Sequence, residues 1–228
     1  MKKLLAIAAA SAAIALSAAP ANAADVFTAS FEAPALGNGG YAYQGTAPGP
    51  FGGSPTVPTN NFGIANVFFN GASGIQANNS AWHFASAPDG TQTAFIQSYN
   101  GTGGSISFDL SGLTAGKEYF ITFAAAARPD NDGGNALTLT GPGGLSTAFS
   151  FTNTAWGYYQ ASFFATSGTN TLTLTGASAS GDRATGIDAF TVAVPEPATW
   201  AMMLLGFGMM GYSLRRRKPV SSSALLAN

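Results

Sequence analysis

The chain has 228 residues, of which 8% are charged, with 29 glycines, 12 prolines and no cysteine. That length suits one medium domain plus processing segments, and the lack of cysteine excludes disulfides, a lipidated terminal cysteine and a thiol nucleophile. Between Ala24 and Ala193 only Lys117, Arg128 and Arg183 oppose nine acidic residues, a formal charge of −6, so the clustered cations that bind nucleic acid are missing.

Met1–Ala23 reads MKKLLAIAAASAAIALSAAPANA. Two lysines precede an apolar stretch that closes on Ala21-Asn22-Ala23, the order of a secretory signal peptide with its small-residue cleavage site. Residues 1–23 are therefore expected to be removed by signal peptidase after export, leaving Ala24 as the new start. An exported chain without cysteine must draw its stability from packing or from a metal.

Residues 24–193 form the body. Ala33–Pro58 holds five prolines and many glycines, and is expected to be a long surface loop of the kind that carries binding sites. Beyond it come short runs of alternating polarity. SISFDL sets Ile106, Phe108 and Leu110 on one face, ALTLT sets Leu137 and Leu139, and TLTLT sets Leu172 and Leu174. EYFITFAAAA aligns Tyr119, Ile121, Phe123 and Ala125, while YYQASFFA aligns Tyr159, Ala161, Phe163 and Ala165. A strict period of two predicts half-buried strands. About ten such strands, punctuated by Gly, Pro, Asn and Ser, predict an all-β domain of two packed sheets.

The order of features SFEAP, SGLTAGKEYFITFAAAAR, FTNTAWGYYQASFFA and GIDAFTVA resembles the galactose-binding-like jelly rolls of carbohydrate-binding modules. An immunoglobulin-like sandwich is the alternative. The resemblance implies a jelly-roll β-sandwich. It also implies a structural Ca²⁺ shared by the first and last strands, whose matching acids are Glu32 in SFE and Asp188 in GID. No other cofactor is called for. Asp130–Gly134, PDNDGG, is acid-rich but lacks the spacing and closing Glu of a calcium loop.

Val194–Lys218 reads VPEPATWAMMLLGFGMMGYSLRRRK. Ala198–Leu214 is uncharged and apolar, and as a helix would run about 26 Å at about 1.5 Å per residue, close to the about 30 Å of a hydrocarbon core. Trp200 and Tyr212 fall near its ends, where such rings favour the interface, and Arg215, Arg216, Arg217 and Lys218 form a cytoplasmic stop, followed by the tail 219–228. The preceding prolines fix an extended segment. Pro195-Glu196-Pro197, then Trp200-Ala201, the apolar stretch and the basic cluster resemble the PEP-CTERM sorting signal. That resemblance implies an exported bacterial protein, held briefly in the inner membrane with its body outside. An exosortase then cuts near Pro-Glu-Pro and passes the body to the cell surface or the extracellular matrix, where this family is associated with exopolysaccharide and biofilm.

The usual catalytic constellations do not occur. There is no Gly-x-Ser-x-Gly elbow and no His-Glu-x-x-His. The single histidine, His83, lies between Trp82 and Phe84 in a structural context, and nothing pairs two of the nine acids as a glycosidase requires. The expectation is a protein without enzymatic activity. Sugars stack on exposed rings, which makes Trp82, Trp156, Tyr158 and Tyr43 the candidate ligand contacts, with Arg128 at a strand end; packing of these rings is the competing role. Two functions stay open: a surface module that binds exopolysaccharide, and a structural or adhesive matrix component with no small ligand. A polysaccharide-active enzyme ranks third.

Overall fold

The computed structural model describes residues 24–44, 61–194 and 205–212. Twelve strands run in chain order: β1 (Asp25–Ala29), β2 (Tyr41–Tyr43), β3 (Val67–Gly71), β4 (Ser73–Ala77), β5 (Gln92–Tyr99), β6 (Thr102–Leu110), β7 (Glu118–Ala127), β8 (Leu137–Thr140), β9 (Ser146–Phe149), β10 (Gly157–Phe164), β11 (Asn170–Gly176) and β12 (Asp182–Ala193). All pairings are antiparallel. One sheet has the order β10-β7-β12-β5-β4-β2, with β1 on β12 beyond the end of β5. The other has the order β3-β6-β11-β8-β9. From β5 onward the chain passes repeatedly from one sheet to the other, and the result is the expected jelly-roll sandwich.

The alternation read from the sequence sets which side chains face inward. Ile106, Phe108, Leu110, Leu137, Leu139, Leu172 and Leu174 come from one sheet, and Tyr119, Ile121, Phe123, Ile187 and Phe190 from the other; all are buried. Phe108 and Phe190 stack across the gap, with centroids 3.8 Å apart and planes 7° from parallel. Burial of this apolar face is the main force holding the two sheets together.

The outer face of the β12 sheet departs from simple alternation. Ala124, Ala126 and Ala184 point away from the core, yet each is fully buried. Trp82 and Phe84, from the connection before β5, cluster with Ala184, and Trp156, from the connection before β10, stands over the neighbouring Gly186. Small residues make this possible: a Cβ at Gly186 would stand 2.8 Å from the Trp156 ring. The run of alanines in β7 thus serves both faces.

Two local features position the site. Asn100 and Gly101, between β5 and β6, both have positive φ (49° and 81°), the geometry of a two-residue type I′ hairpin, for which Asn-Gly is the preferred pair. A bulge interrupts the β12–β7 register between Asp188 and Thr191, where Ala189 takes φ 47° and donates its N–H to the Asp188 carboxylate at 2.8 Å.

The long loop expected at Ala33–Pro58 is in part ordered: Tyr41–Tyr43 is a strand paired with β4, and Leu36 and Ala42 are buried. Residues 45–58 lie outside the described residues. So do the signal peptide 1–23, Pro195, Glu196, Pro197, Trp200, Ala201, the basic stop Arg215–Lys218 and the tail 219–228. Of the membrane helix expected at 198–214, residues 205–212 are described; they are helical and exposed. No helix among the described residues is long and apolar enough to cross a membrane.

Candidate functional site

Alternation along β5 turns Phe95, Gln97 and Tyr99 to the outer face, and the register sets Tyr99 opposite Asp182 and Gln97 opposite Ala184 of β12. On the other side of β5, Tyr43 of β2 lies opposite Gly74 of β4, which in turn lies opposite Phe95. These strands line a cleft of about 520 Å³ bordered by Tyr43, Gln44, Gln97, Tyr99, Thr102 and Asp182. Tyr99 is 56% exposed, held at the rim by the Asn-Gly hairpin, whose amides bond to the carbonyls of Gly181 and Ala179.

A continuous polar network runs from this cleft across the outer face. The Tyr43 hydroxyl donates to Gln97 Oε1, and Gln97 Nε2 donates to Asp182 Oδ1. Arg128 Nη1 donates to both Asp182 oxygens, at 3.1 and 3.0 Å, and Asn131 adds a bond to Oδ2 at 2.6 Å. Arg128 Nε turns to Asp130 Oδ1, and His83 Nδ1 meets Asp130 Oδ2 at 2.6 Å. Burial pushes the Tyr43 phenol well above its usual value, and the Asp182 charge adds to the effect. Burial would raise Asp130 as well, but its bonds to His83 and Arg128 outweigh that and hold its carboxyl below the usual range.

The expected contact residues fall into two groups on this one face. Trp82, Tyr43 and Arg128 come together. Trp82 is only 4% exposed: it stacks on Phe95 at 4.4 Å, meets Tyr41 edge-on at 4.7 Å, and carries the Arg128 guanidinium 5.9 Å from its ring centre. With so little surface left, Trp82 supports the cleft rather than offering a free platform. Arg128, read as a strand-end charge, is 9% exposed and ion-paired. Trp156 and Tyr158 lie nearer β10. Trp156 is half-buried and donates to the Ala85 carbonyl at 3.1 Å. Tyr158 is 68% exposed, as expected for a position opposite Tyr159. The sequence reading missed Gln97, Tyr99 and Asp182, although QTAFIQSY followed by Asn-Gly was a legible hairpin signal.

Glu32 and Asp188 lie within electrostatic range of each other, with Asp89 beside Asp188. Asp188 is fully buried. Burial pushes its carboxyl up to about 7, the nearby Asp89 and Glu32 charges add to this, and the Asp89 and Ala189 N–H groups oppose it. Glu32 accepts from the Thr91 N–H, the Thr91 hydroxyl and the Gln92 N–H at 2.8–3.0 Å. Gly90, at φ 77°, leaves room for this carboxylate, which a Cβ would approach to 2.4 Å. The donors are all oxygen and carry no cation, which fits a hard ion such as Ca²⁺. No group of three or more His, Cys, Asp or Glu suited to a metal occurs among the described residues, and two carboxylates alone fall short of the six to eight oxygens that Ca²⁺ takes.

Comparison with known proteins finds the PEP-CTERM protein-sorting motif at residues 193–218. The motif marks an exported, exosortase-dependent surface protein that is anchored transiently at the membrane. No curated protein matches the chain at a significant level. Among solved structures, the CBM22-1 xylan-binding domain of Paenibacillus barcinonensis Xyn10C is 12% identical with a TM-score of 0.46, over 77% of this chain and 97% of that one. TmCBM61, solved with β-1,4-galactotriose, is 16% identical with a TM-score of 0.43, over 58% and 90%. The enzymatically active domain of bacteriophage CBA120 tailspike protein 4 is 10% identical with a TM-score of 0.43, over 60% of this chain and 20% of that one. This chain thus spans about a fifth of the tailspike chain it matches.

Proposed function

We propose that this chain is a surface or matrix protein, exported through a signal peptide ending at Ala23 and cut by exosortase near Pro195-Glu196-Pro197, whose cleft binds a polysaccharide without catalysis. The observation that carries the reading is the position of the cleft. β12 begins at Asp182 in the cleft and ends at Ala193, where the sorting motif starts. From the first to the last of its twelve residues it spans roughly 36 Å, at a rise of about 3.3 Å per step. The cleft and the residue at which the sorting motif begins therefore lie at opposite ends of β12.

The chemistry of the cleft supports a sugar ligand. Tyr99 offers an amphipathic ring, and Gln44, Gln97, Thr102 and Asp182 border it with donors and acceptors for hydroxyl groups. A body of formal charge −6 repels polyanions, so a neutral or amino-sugar polymer suits it better than a uronate. A glycan array probed with the mature body separates this reading from a structural or adhesive component that binds no sugar.

Changing Pro195-Glu196-Pro197 to Ala-Ala-Ala, with the apolar segment kept, tests the sorting half. The expected result is full-length protein accumulating in the membrane fraction and a matching loss from the surface and matrix. Wild-type matrix protein whose intact mass still includes Arg215–Lys218 would sink the processing claim.

A Ca²⁺ ion held by Glu32 and Asp188 belongs to the same reading. An ion that binds only the folded state stabilises it by about 2.7 kcal/mol at 100 times its dissociation constant. The melting temperature should rise with Ca²⁺ at pH 8 and fall in chelator, and Asp188→Asn should abolish the response. The same melting curve with and without Ca²⁺, on protein shown metal-free by elemental analysis, would refute the site.

A further inference from the structure

We propose that removal of the leader at Ala23 must precede cutting at the sorting motif: while residues 1–23 are attached, the leader tethered at Ala24 crowds the motif tethered at Val194 and keeps the exosortase from it. The proposal rests on the reading above, that the chain undergoes both cuts. It is carried by the register of the first and last strands. β1 and β12 pair antiparallel, with Asp25 opposite Ala193, and the Val194 N–H donates to the Ala24 carbonyl at 3.3 Å. Paired strands lie about 4.7–4.9 Å apart. The leader is joined one bond before Ala24, and the matched sorting motif starts at Ala193. The two processing segments are thus joined to neighbouring positions at one end of one strand pair.

Moving β1 aside would not relieve the crowding without cost. Phe27 stands edge-on to Phe108 and Phe190, with centroids 6.0 and 6.3 Å away, and Ala29 and Phe31 beyond it are buried. Val194 packs against the same core. Peeling β1 from β12 would return this apolar surface to water. The tethers are also short. The apolar stretch after the motif starts at Ala198, and the leader's last apolar residue before its proline is Ala19. At about 3.5 Å per residue, Ala198 can lie at most about 14 Å from Val194, and Ala19 at most about 18 Å from Ala24. A helix with its side chains is about 10–12 Å across, so a second apolar segment on such a tether fills one flank of the motif. The leader cut clears that flank. It is a hydrolysis: water's oxygen goes to the Ala23 carbonyl carbon, the Ala23–Ala24 C–N bond breaks, and both protons of the water pass to the Ala24 nitrogen. The leader then ends in a carboxylate and the body begins with an ammonium.

The test follows C-terminal cutting of full-length chains in the producing cells, by pulse–chase and intact mass. Ala21→Leu with Ala23→Leu removes the small residues that the leader cut needs. This leader-retaining chain is expected to lose its C-terminal segment at least about tenfold more slowly than the wild type. A third chain keeps both substitutions and adds a flexible Gly/Ser linker of about twelve residues before Ala24, which reaches roughly 17–21 Å. Its cutting is expected to return to within about threefold of the wild type, although its leader is never removed. That recovery separates crowding from poor export, because the linker chain carries the same defective leader. The ordering is overturned if the leader-retaining chain is cut at the wild-type rate, or if the linker chain is cut as slowly as the leader-retaining one. A wild type that keeps Arg215–Lys218 at the surface instead sinks the reading of two cuts, and the ordering with it.

Discussion

Replacing Arg128 with methionine is expected to lower the stability of the folded chain by about 2–4 kcal/mol. Arg128 is nearly buried, and its guanidinium is shared between Asp130 and Asp182. Removing it leaves two carboxylates facing each other with no arginine between them. It also removes the cation lying over the Trp82 ring, a contact worth on the order of 1 kcal/mol. The two aspartates keep 36% and 26% side-chain exposure, which places the expected loss at the lower part of the range for a broken buried pair. Methionine preserves the stem, so lost packing does not account for the effect. Arg128→Lys should restore only part of it, because an ammonium cannot bridge both acids with a planar fork. Urea unfolding at constant m reads the change as a shift in midpoint. A loss below about 0.5 kcal/mol would class these bonds with ordinary surface pairs.

The same substitution has a signature in acid. Asp130 is held below its usual value in the folded state. Its contribution is therefore fully present above the unfolded carboxylate pKa, about 3.9. It is lost as pH falls through the folded value. In Arg128→Met one of the two partners that lower this carboxyl is gone, and stability should fall less steeply with acidification than in the wild type.

Which of these features could be read from the sequence depended on how far apart the participating residues are. The inward faces of β6, β7, β8, β10 and β11 were legible because the alternation that selects them is contiguous and the core demands apolar side chains there. The sorting motif was legible for the same reason, being one uninterrupted stretch. The outer face was not. Ala184 and Gly186 look like solvent positions until Phe84 and Trp156, from two separate connections, are packed against that face. Trp82 was a candidate sugar contact with packing as the competing role, and packing is what the structure shows. Its burial depends on Phe95 and Tyr41, each on a different strand. The cleft suffered most. Tyr43, Gln97, Tyr99 and Asp182 are spread over some 140 positions and meet only through strand register, which no local pattern specifies. Asn100-Gly101 was the exception, a local signal that did fix where Tyr99 points. The second strand was hidden inside a proline-rich region because three residues are too few to show a period.

Binding at the cleft is the point on which the functional account stands. Tyr99 is the residue to remove, since it is 56% exposed, faces the cleft, and bears little on the core. Loss of its ring and hydroxyl should remove stacking area and one hydrogen bond, on the order of 1.5–3 kcal/mol of binding, or tenfold and more in affinity. The measurement is affinity electrophoresis of the mature protein through a native gel containing the exopolysaccharide of the producing cells. The account predicts that the wild type is retarded in proportion to polymer concentration. Tyr99→Ala should need at least tenfold more polymer for the same retardation, at an unchanged melting temperature. A wild type that runs at the same rate with and without polymer, or a Tyr99→Ala variant retarded as strongly as the wild type, would contradict it.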